Sequence, residues 1–308
     1  MGASVQVRPF GRAHRRKILD QHFASISYII SSSRLKRNFV ETMTTPDVRG
    51  LSDELGIVEV YGAPMSTFTR IVTLALHHIG LPFVLRHHLP HSAEIKEHNP
   101  LGLVPVLIHR PNALYSPKDS LVLYESNAIR RYIDEALIIV ARAKNPSVPD
   151  LNPSLDSSNS RQLLKTAALR ASVDQLVSMA STVVFTALEN RIVKPRQAME
   201  SNSADDATIT VALEEAFQGA RRILDLLEGF LKKNKELRDA NADWFVGSSI
   251  SWADLYVYPI LADLKSIPEG PTLFKEFPLL SAWVDHLEQT SIAKATYYGS
   301  VPELRQRK

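Results

Sequence analysis

Ser66 stands where a strand-like run gives way to a helix, in Val58-Glu-Val-Tyr-Gly-Ala-Pro-Met-Ser66-Thr-Phe-Thr-Arg70. A hydroxyl at that point has two uses. It can accept from the orphan N–H groups of the first helical turn as an N-cap, or it can donate to a bound thiolate. Lowering a thiol from a pKa of about 8.5 to about 6.5 takes about 2.7 kcal/mol. A hydrogen bond to a charged acceptor supplies about 1.5–3 kcal/mol and a helix N-terminus about 0.3–1. Those two contributions suffice without a histidine base. Glu125-Ser126 is the second chemical pair, placed where Leu121–Leu123 ends and another helix opens. Ser126 can cap that helix beside a dipole-compensating acid. Alternatively, Ser126 and its N–H hold a carboxylate while Glu125 accepts from an ammonium, the two charged groups of an amino-acid head. The third feature is Pro105, inside the strand-like Val104–Ile108 of Asn99-Pro-Leu-Gly-Leu-Val-Pro105-Val-Leu. Proline donates nothing to a sheet ladder. It is either an ordinary edge-strand proline or part of a cis Val104–Pro105 bond that turns the Val104 backbone toward an extended ligand. Together the three suit a short acidic peptide that carries a thiol.

Other chemistries are narrowed by what the chain lacks. It contains no cysteine, which removes disulfides, thiolate metal ligands and a protein-thiol nucleophile. Seven of its ten histidines fall between His77 and His109. His77 and His78 are adjacent on a helix and His87 and His88 on a strand, so each pair diverges. No H-E-x-x-H spacing occurs, and no metal site is expected.

The elements that must carry these residues form two units. Val58–Tyr61 alternates as a strand, and Gly62-Ala-Pro64 makes the turn. Ile71, Leu74, Ala75 and Ile79 recur at helical spacing until Gly80 and Pro82. Phe83–Leu89, Val104–Ile108 and Leu121–Leu123 read as strands, and a helix from Asn127 to Ala136 closes the unit. This βαβ-ββα order predicts an α/β thioredoxin-like N-terminal domain over 56–140. Pro146, Pro149, Pro153 and a serine cluster mark a linker over 141–160. An all-α helical-bundle domain over 161–308 follows, with helices at Arg161–Arg191 and Ala207–Lys233. A Ser251-x-x-Asp254 capping box opens a third, and Phe274–Leu287 forms the last.

The net charge of +3 is unevenly spread. Residues 1–42 hold eight Lys/Arg against Asp20 and Glu41, so the remainder carries −3. A mildly acidic body gives no reason to expect nucleic-acid binding. Residues 1–55 read as a basic disordered extension or a targeting segment, with Met43 an alternative start. No continuous apolar run approaches the roughly 18–20 residues of a bilayer span, so no membrane partner is expected.

These motifs, in this order, resemble the cytosolic glutathione transferase family over about Ile57 to Leu287. The Pro-Met-Ser66-Thr-x-Thr-Arg70 helix start is similar to the serine-type phi class and related fungal enzymes. Asn-Pro-x-Gly-x-Val104-Pro105 is similar to the family's cis-proline loop, Glu125-Ser126 to its γ-glutamyl contact, and Ser251-Trp-Ala-Asp254 to its C-terminal-domain helix cap. The resemblance implies that the protein conjugates the glutathione thiolate to small hydrophobic electrophiles and reduces organic hydroperoxides. Ser66 would hold the thiolate, Val104 and Pro105 the cysteinyl backbone, and Glu125 and Ser126 the γ-glutamyl end. Glutathione would be co-substrate without a further cofactor, the Val173–Ala187 stretch an acceptor wall, and the assembly a homodimer. The location would be cytoplasmic, or mitochondrial if 1–42 is a genuine targeting segment. Two departures stand out. Leu103 replaces a glutamine usual before Val-Pro, and the glycine-end His-Lys pair has only Pro90 and His91 at its place, leaving His91 as the substitute. The rival reading is a non-catalytic interaction module like the transferase-like region of elongation factor 1-gamma.

Overall fold

Val58 and Val60 of the central strand point into the main core, whereas Glu59 and Tyr61 face the other side of the sheet. This alternation makes a two-faced sheet. The computed structural model describes residues 43–44, 55–111, 120–237 and 243–307. The expectations for 1–42 lie outside those residues. Five strands, β1 (Met43–Thr44), β2 (Ile57–Gly62), β3 (Val84–His87), β4 (Val106–Arg110) and β5 (Leu121–Tyr124), lie in the order β1-β3-β2-β4-β5. β2 and β3 run parallel, and the other pairs are antiparallel. Helix α1 (Thr67–Ile79) buries Ile71, Leu74, Ala75 and Ile79 against the main core, as their spacing requires. Gly80 ends it in the left-handed conformation, φ 66°. Glu59, buried in β2, is neutralised from both neighbouring strands by Arg86 at 2.7 Å and by Arg110.

Helix α2 (Ala93–His98), between β3 and β4, has no counterpart in the sequence reading. Its one buried residue, Ile95, joins Val106 and Ile108 to cover the second face of the sheet. The helix after β5, α3 (126–144), is longer than expected and passes through a π-helical turn at Ile133–Leu137. Buried Leu137, Ile138 and Ala141 sustain it until Asn145, so Ala141–Lys144 are helix rather than linker. The segment that follows is tied down: Val148 and Leu151 are buried, and Arg142 pairs with Asp150 at 2.6 Å.

The C-terminal half is helical: α4 (Ser160–Ser201), α5 (Asp206–Leu237), α6 (Trp252–Lys265), α7 (Gly270–Phe274), α8 (Pro278–Gln289), α9 (Ser291–Ala295) and α10 (Val301–Gln306). The expected last helix, Phe274–Leu287, is broken at 275–277, and two short helices follow it. α4 is long and apolar enough over one window to resemble a membrane span by length and composition. Its Val173, Leu176, Val177, Leu188 and Ile192 are buried in the protein core, where α4 packs on α6. α6 is buried along nearly its whole length and also packs on α1, making one core continuous across both halves. The Ser251–Asp254 box forms. Asp254 accepts from Ser251 N and Phe245 N at 2.9 Å, from Ser251 Oγ at 2.8 Å and from Trp283 Nε1 at 3.2 Å. Burial pushes its carboxyl up to about 6 despite those four donors.

Candidate functional site

Strand register alone brings the three motifs to one end of the sheet. Tyr61 of β2 lies opposite Val106 of β4, and Val106 opposite Tyr124 of β5. The segments leaving those positions hold Ser66, Val104–Pro105 and Glu125–Ser126. Adjacent strands sit about 4.8 Å apart, so three of them span about 10 Å. An extended tripeptide reaches about the same distance.

Ser66 is the N-cap of α1, with φ −78° and ψ 119°. Its Oγ accepts from Thr69 N at 3.4 Å, the outer limit of a useful hydrogen bond. The capping role therefore holds the hydroxyl only weakly, and Ser66 is only partly buried. Phe68, two residues on, sets its ring 4.7 Å from Phe185 of α4. Phe185 sits between two π-helical stretches, Ala180–Val184 and Thr186–Val193. Such widened turns recur at functional sites.

Val104–Pro105 is cis. Pairing of β4 with β2 begins at Val106, so Val104 stands ahead of the ladder. The preceding loop is organised by Asn99, whose role the sequence reading missed. Buried Asn99 donates Nδ2–H to Leu103 O at 2.9 Å and accepts from Leu101 N at 3.0 Å. Leu103 itself is exposed. His91 is brought to this loop: its N–H donates to Gly102 O at 2.7 Å, and its ring lies against Gly102. A Cβ on Gly102 would fall 2.3 Å from His91 Nδ1, so only glycine fits there. His91 adopts φ 64°, a left-handed conformation uncommon for histidine.

At the β5–α3 junction the structure corrects one expectation. Glu125 is the N-cap and Ser126 the first helical residue, so Ser126 does not cap α3. Glu125 is exposed and held at φ 70°, ψ 116° without a side-chain cap bond. A non-glycine residue there costs of order 1–3 kcal/mol, and such strain clusters at ligand clamps. Behind it, the Tyr256 hydroxyl hydrogen-bonds Ser126 and donates to Asn127 Oδ1 at 3.3 Å. Burial pushes Tyr256 up to about 12, keeping that proton in place.

Two histidines near the site are structural. His109 bonds Leu55 O through Nε2 at 2.5 Å and Tyr132 OH through Nδ1 at 2.6 Å. A neutral ring satisfies both, donating to the carbonyl and accepting from the hydroxyl, and burial lowers its pKa. His87 is driven down to about 4, mainly by burial. Among the described residues, no three His, Cys, Asp or Glu side chains gather as a metal site.

A thioredoxin-like sheet joined to a helical domain, with a hydroxyl, a free backbone edge and a helix N-terminus at one sheet end, defines a thiol-peptide binding class. Comparison with known proteins agrees. Residues 65–136 match the glutathione S-transferase N-terminal domain and residues 178–290 its C-terminal domain. Glutathione S-transferase F7 of Arabidopsis thaliana is 26% identical over 77% of this chain and 97% of its own. The glutathione S-transferase-like protein tpcF of Aspergillus fumigatus is 24% identical over 61% of this chain and 71% of its own. The crystal structure of Populus trichocarpa glutathione transferase F7 superposes with a TM-score of 0.59, at 24% identity, covering 79% of this chain and 99% of that one. The chain belongs to the glutathione S-transferase family.

Proposed function

We propose that this protein binds glutathione across the β2–β4–β5 end of its sheet and transfers the thiolate to hydrophobic electrophiles. The observation that carries this reading is the register Tyr61–Val106–Tyr124, which aligns Ser66, Val104 and Glu125 at one sheet end. In this reading Ser66 Oγ donates to the thiolate sulfur, since its cap bond is weak. Val104 pairs with the cysteinyl backbone, and Pro105 shapes that edge. Ser126 and the α3 N-terminus hold the γ-glutamyl carboxylate while Glu125 accepts from its ammonium. His91 takes the glycine end.

The thiol proton leaves to solvent. The sulfur lone pair then forms a C–S bond, and the leaving group departs with its bonding pair. Phe68 and Phe185 offer the apolar acceptor its first surface. The same thiolate would reduce organic hydroperoxides, with a second glutathione completing the disulfide. A homodimer is part of the proposal: Val122, Tyr124, Ile139 and Val140 on β5 and α3, with Leu163 and Leu164 on α4, are exposed apolar residues. Light scattering tests it.

The decisive experiment is turnover of a nitro-activated aryl chloride with glutathione. Saturable conjugation is expected in wild type, with a clear drop at neutral pH in Ser66→Ala. Glutathione binding without turnover of any aryl halide or hydroperoxide would favour the non-catalytic module, a reading the family findings do not favour.

A further inference from the structure

We infer that Glu189 and Lys194 of α4, with Asp263 of α6 and Arg70 of α1, form one positioning cluster that holds the Phe185 face of the acceptor cleft against the start of α1. The inference rests on the conjugation reading above and adds residues that act through Phe185 and α1.

π-Helical winding assembles the cluster. Phe185 and Lys194 are nine residues apart, which in an α-helix would set them about 180° from each other. The π-helical stretch Thr186–Val193 lies between them, and its wider turns carry Lys194 back onto the same face. Lys194 Nζ stands 4.4 Å from the centre of the Phe185 ring and donates to Asn190 Oδ1 at 2.7 Å. Phe185 in turn meets Phe68 of α1 at 4.7 Å. Glu189, between Phe185 and Lys194 in sequence, hydrogen-bonds Asp263 of α6. Asp263 lies 3.9 Å from Arg70 Nη1, and the Arg70 backbone N–H donates to Ser66 O at 2.9 Å. The contacts thus run from the apolar wall to the residue that bears the hydroxyl.

A proton is part of this assembly. Glu189 and Asp263 are each 2% exposed and Arg70 is 3% exposed. As carboxylates both acids are acceptors, and Glu189 Oε1 and Asp263 Oδ1 have no hydrogen-bond partner. A proton on Glu189 makes it the donor to Asp263. Burial, then the Asp263 charge, pushes Glu189 well above the ordinary carboxyl range. Burial also pushes Asp263 up to about 7, against the pull of Arg70, and lowers Lys194 against the pull of both acids. Tyr258, whose hydroxyl accepts from Arg70 Nη2 at 3.4 Å, is pushed up to about 12 by burial and stays protonated. Other charges on the packed elements are engaged elsewhere. Asp206 of α5 and Glu269 pair with Arg196, and Lys265 of α6 pairs with Asp285 and Glu288 of α8. Because both carboxyls are raised, the proton-bridged state is complete at acid pH and is lost as pH rises through about 7. Two bare carboxylates repel, the tie between α4 and α6 goes, and Phe185 loosens from Phe68.

The test measures KM for the nitro-activated aryl chloride from about pH 6 to about pH 8, a unit either side of the Asp263 value. Glutathione is kept saturating, so thiolate ionisation moves kcat and the wall moves KM. Wild-type KM should rise about fivefold across that range. In Glu189→Gln the amide donates at every pH, so KM should stay at its low-pH value. Glu189→Ala lacks the bridge and should show the high value throughout; should it fail to fold, the glutamine variant carries the test. Infrared difference spectra of wild type minus Glu189→Gln should hold the carbonyl band of a protonated carboxyl at neutral pH. An active wild type with a flat KM, a glutamine variant whose KM climbs like wild type, or absence of that band would overturn the inference. No turnover in wild type would instead defeat the transferase reading, and the infrared band would then support or overturn the cluster by itself.

Discussion

Removing the Ser66 hydroxyl separates its two roles by magnitude. The cap bond to Thr69 N is 3.4 Å long, so its loss belongs near the lower end of N-cap effects, about 0.5 kcal/mol. For a protein of this size that lowers Tm by about 1–2 °C. A hydrogen bond to a thiolate is stronger, about 1.5–3 kcal/mol, and its loss raises the bound thiol's pKa by about 1–2. Ser66→Ala should then conjugate about threefold to twenty-fivefold more slowly at neutral pH while melting almost normally. Because the defect is a deficit of thiolate, activity should recover as pH rises past the raised pKa. The assay is the pH profile of kcat/KM beside ultraviolet thiolate absorbance of bound glutathione. A variant within about twofold of wild type at neutral pH, or one with a parallel loss at every pH, would refute the reasoning.

Three further outcomes test the supports of the site and fold. Asn99→Ala removes two hydrogen bonds that shape the loop before Val104; KM for glutathione should rise several-fold with little change in kcat, and an equal loss in kcat would contradict a positioning role. Asp254→Ala orphans buried donors on Ser251, Phe245 and Trp283 and should cost about 3 kcal/mol or more in urea unfolding. His87→Gln tests a pH effect. With a folded pKa of about 4 against an ordinary 6.5, His87 supports stability fully above pH 6.5 and loses that support as pH falls toward 4. The stability gap between wild type and variant should narrow or reverse across that window; a gap independent of pH would refute the assignment.

The local signals that survived folding are those written by single residues with hard constraints. Pro105 cannot donate, Gly80 tolerates a left-handed φ, and Ser251 with Asp254 closes a reciprocal cap; each stands where its chemistry demands. α2 was illegible because one buried residue, Ile95, creates no period. α3 and α4 were underestimated because π-helical turns at Ile133–Leu137, Ala180–Val184 and Thr186–Val193 shift the apolar spacing away from 3.6. Asn99 and Arg70 were missed for a different reason. Their partners, Leu103 O for one and Tyr258 and Asp263 for the other, are set by loop closure and tertiary packing. Ser126 was placed one position late in the cap because the strained φ of Glu125 has no sequence signature.

Calorimetric titration of glutathione into the full-length protein tests the central claim most directly, because it engages Ser66, Val104, Glu125, Ser126 and His91 at once, with Leu103 in place. Saturable binding of one glutathione per chain, weakened in Glu125→Gln, is the predicted result. No heat of binding at millimolar glutathione would contradict the account.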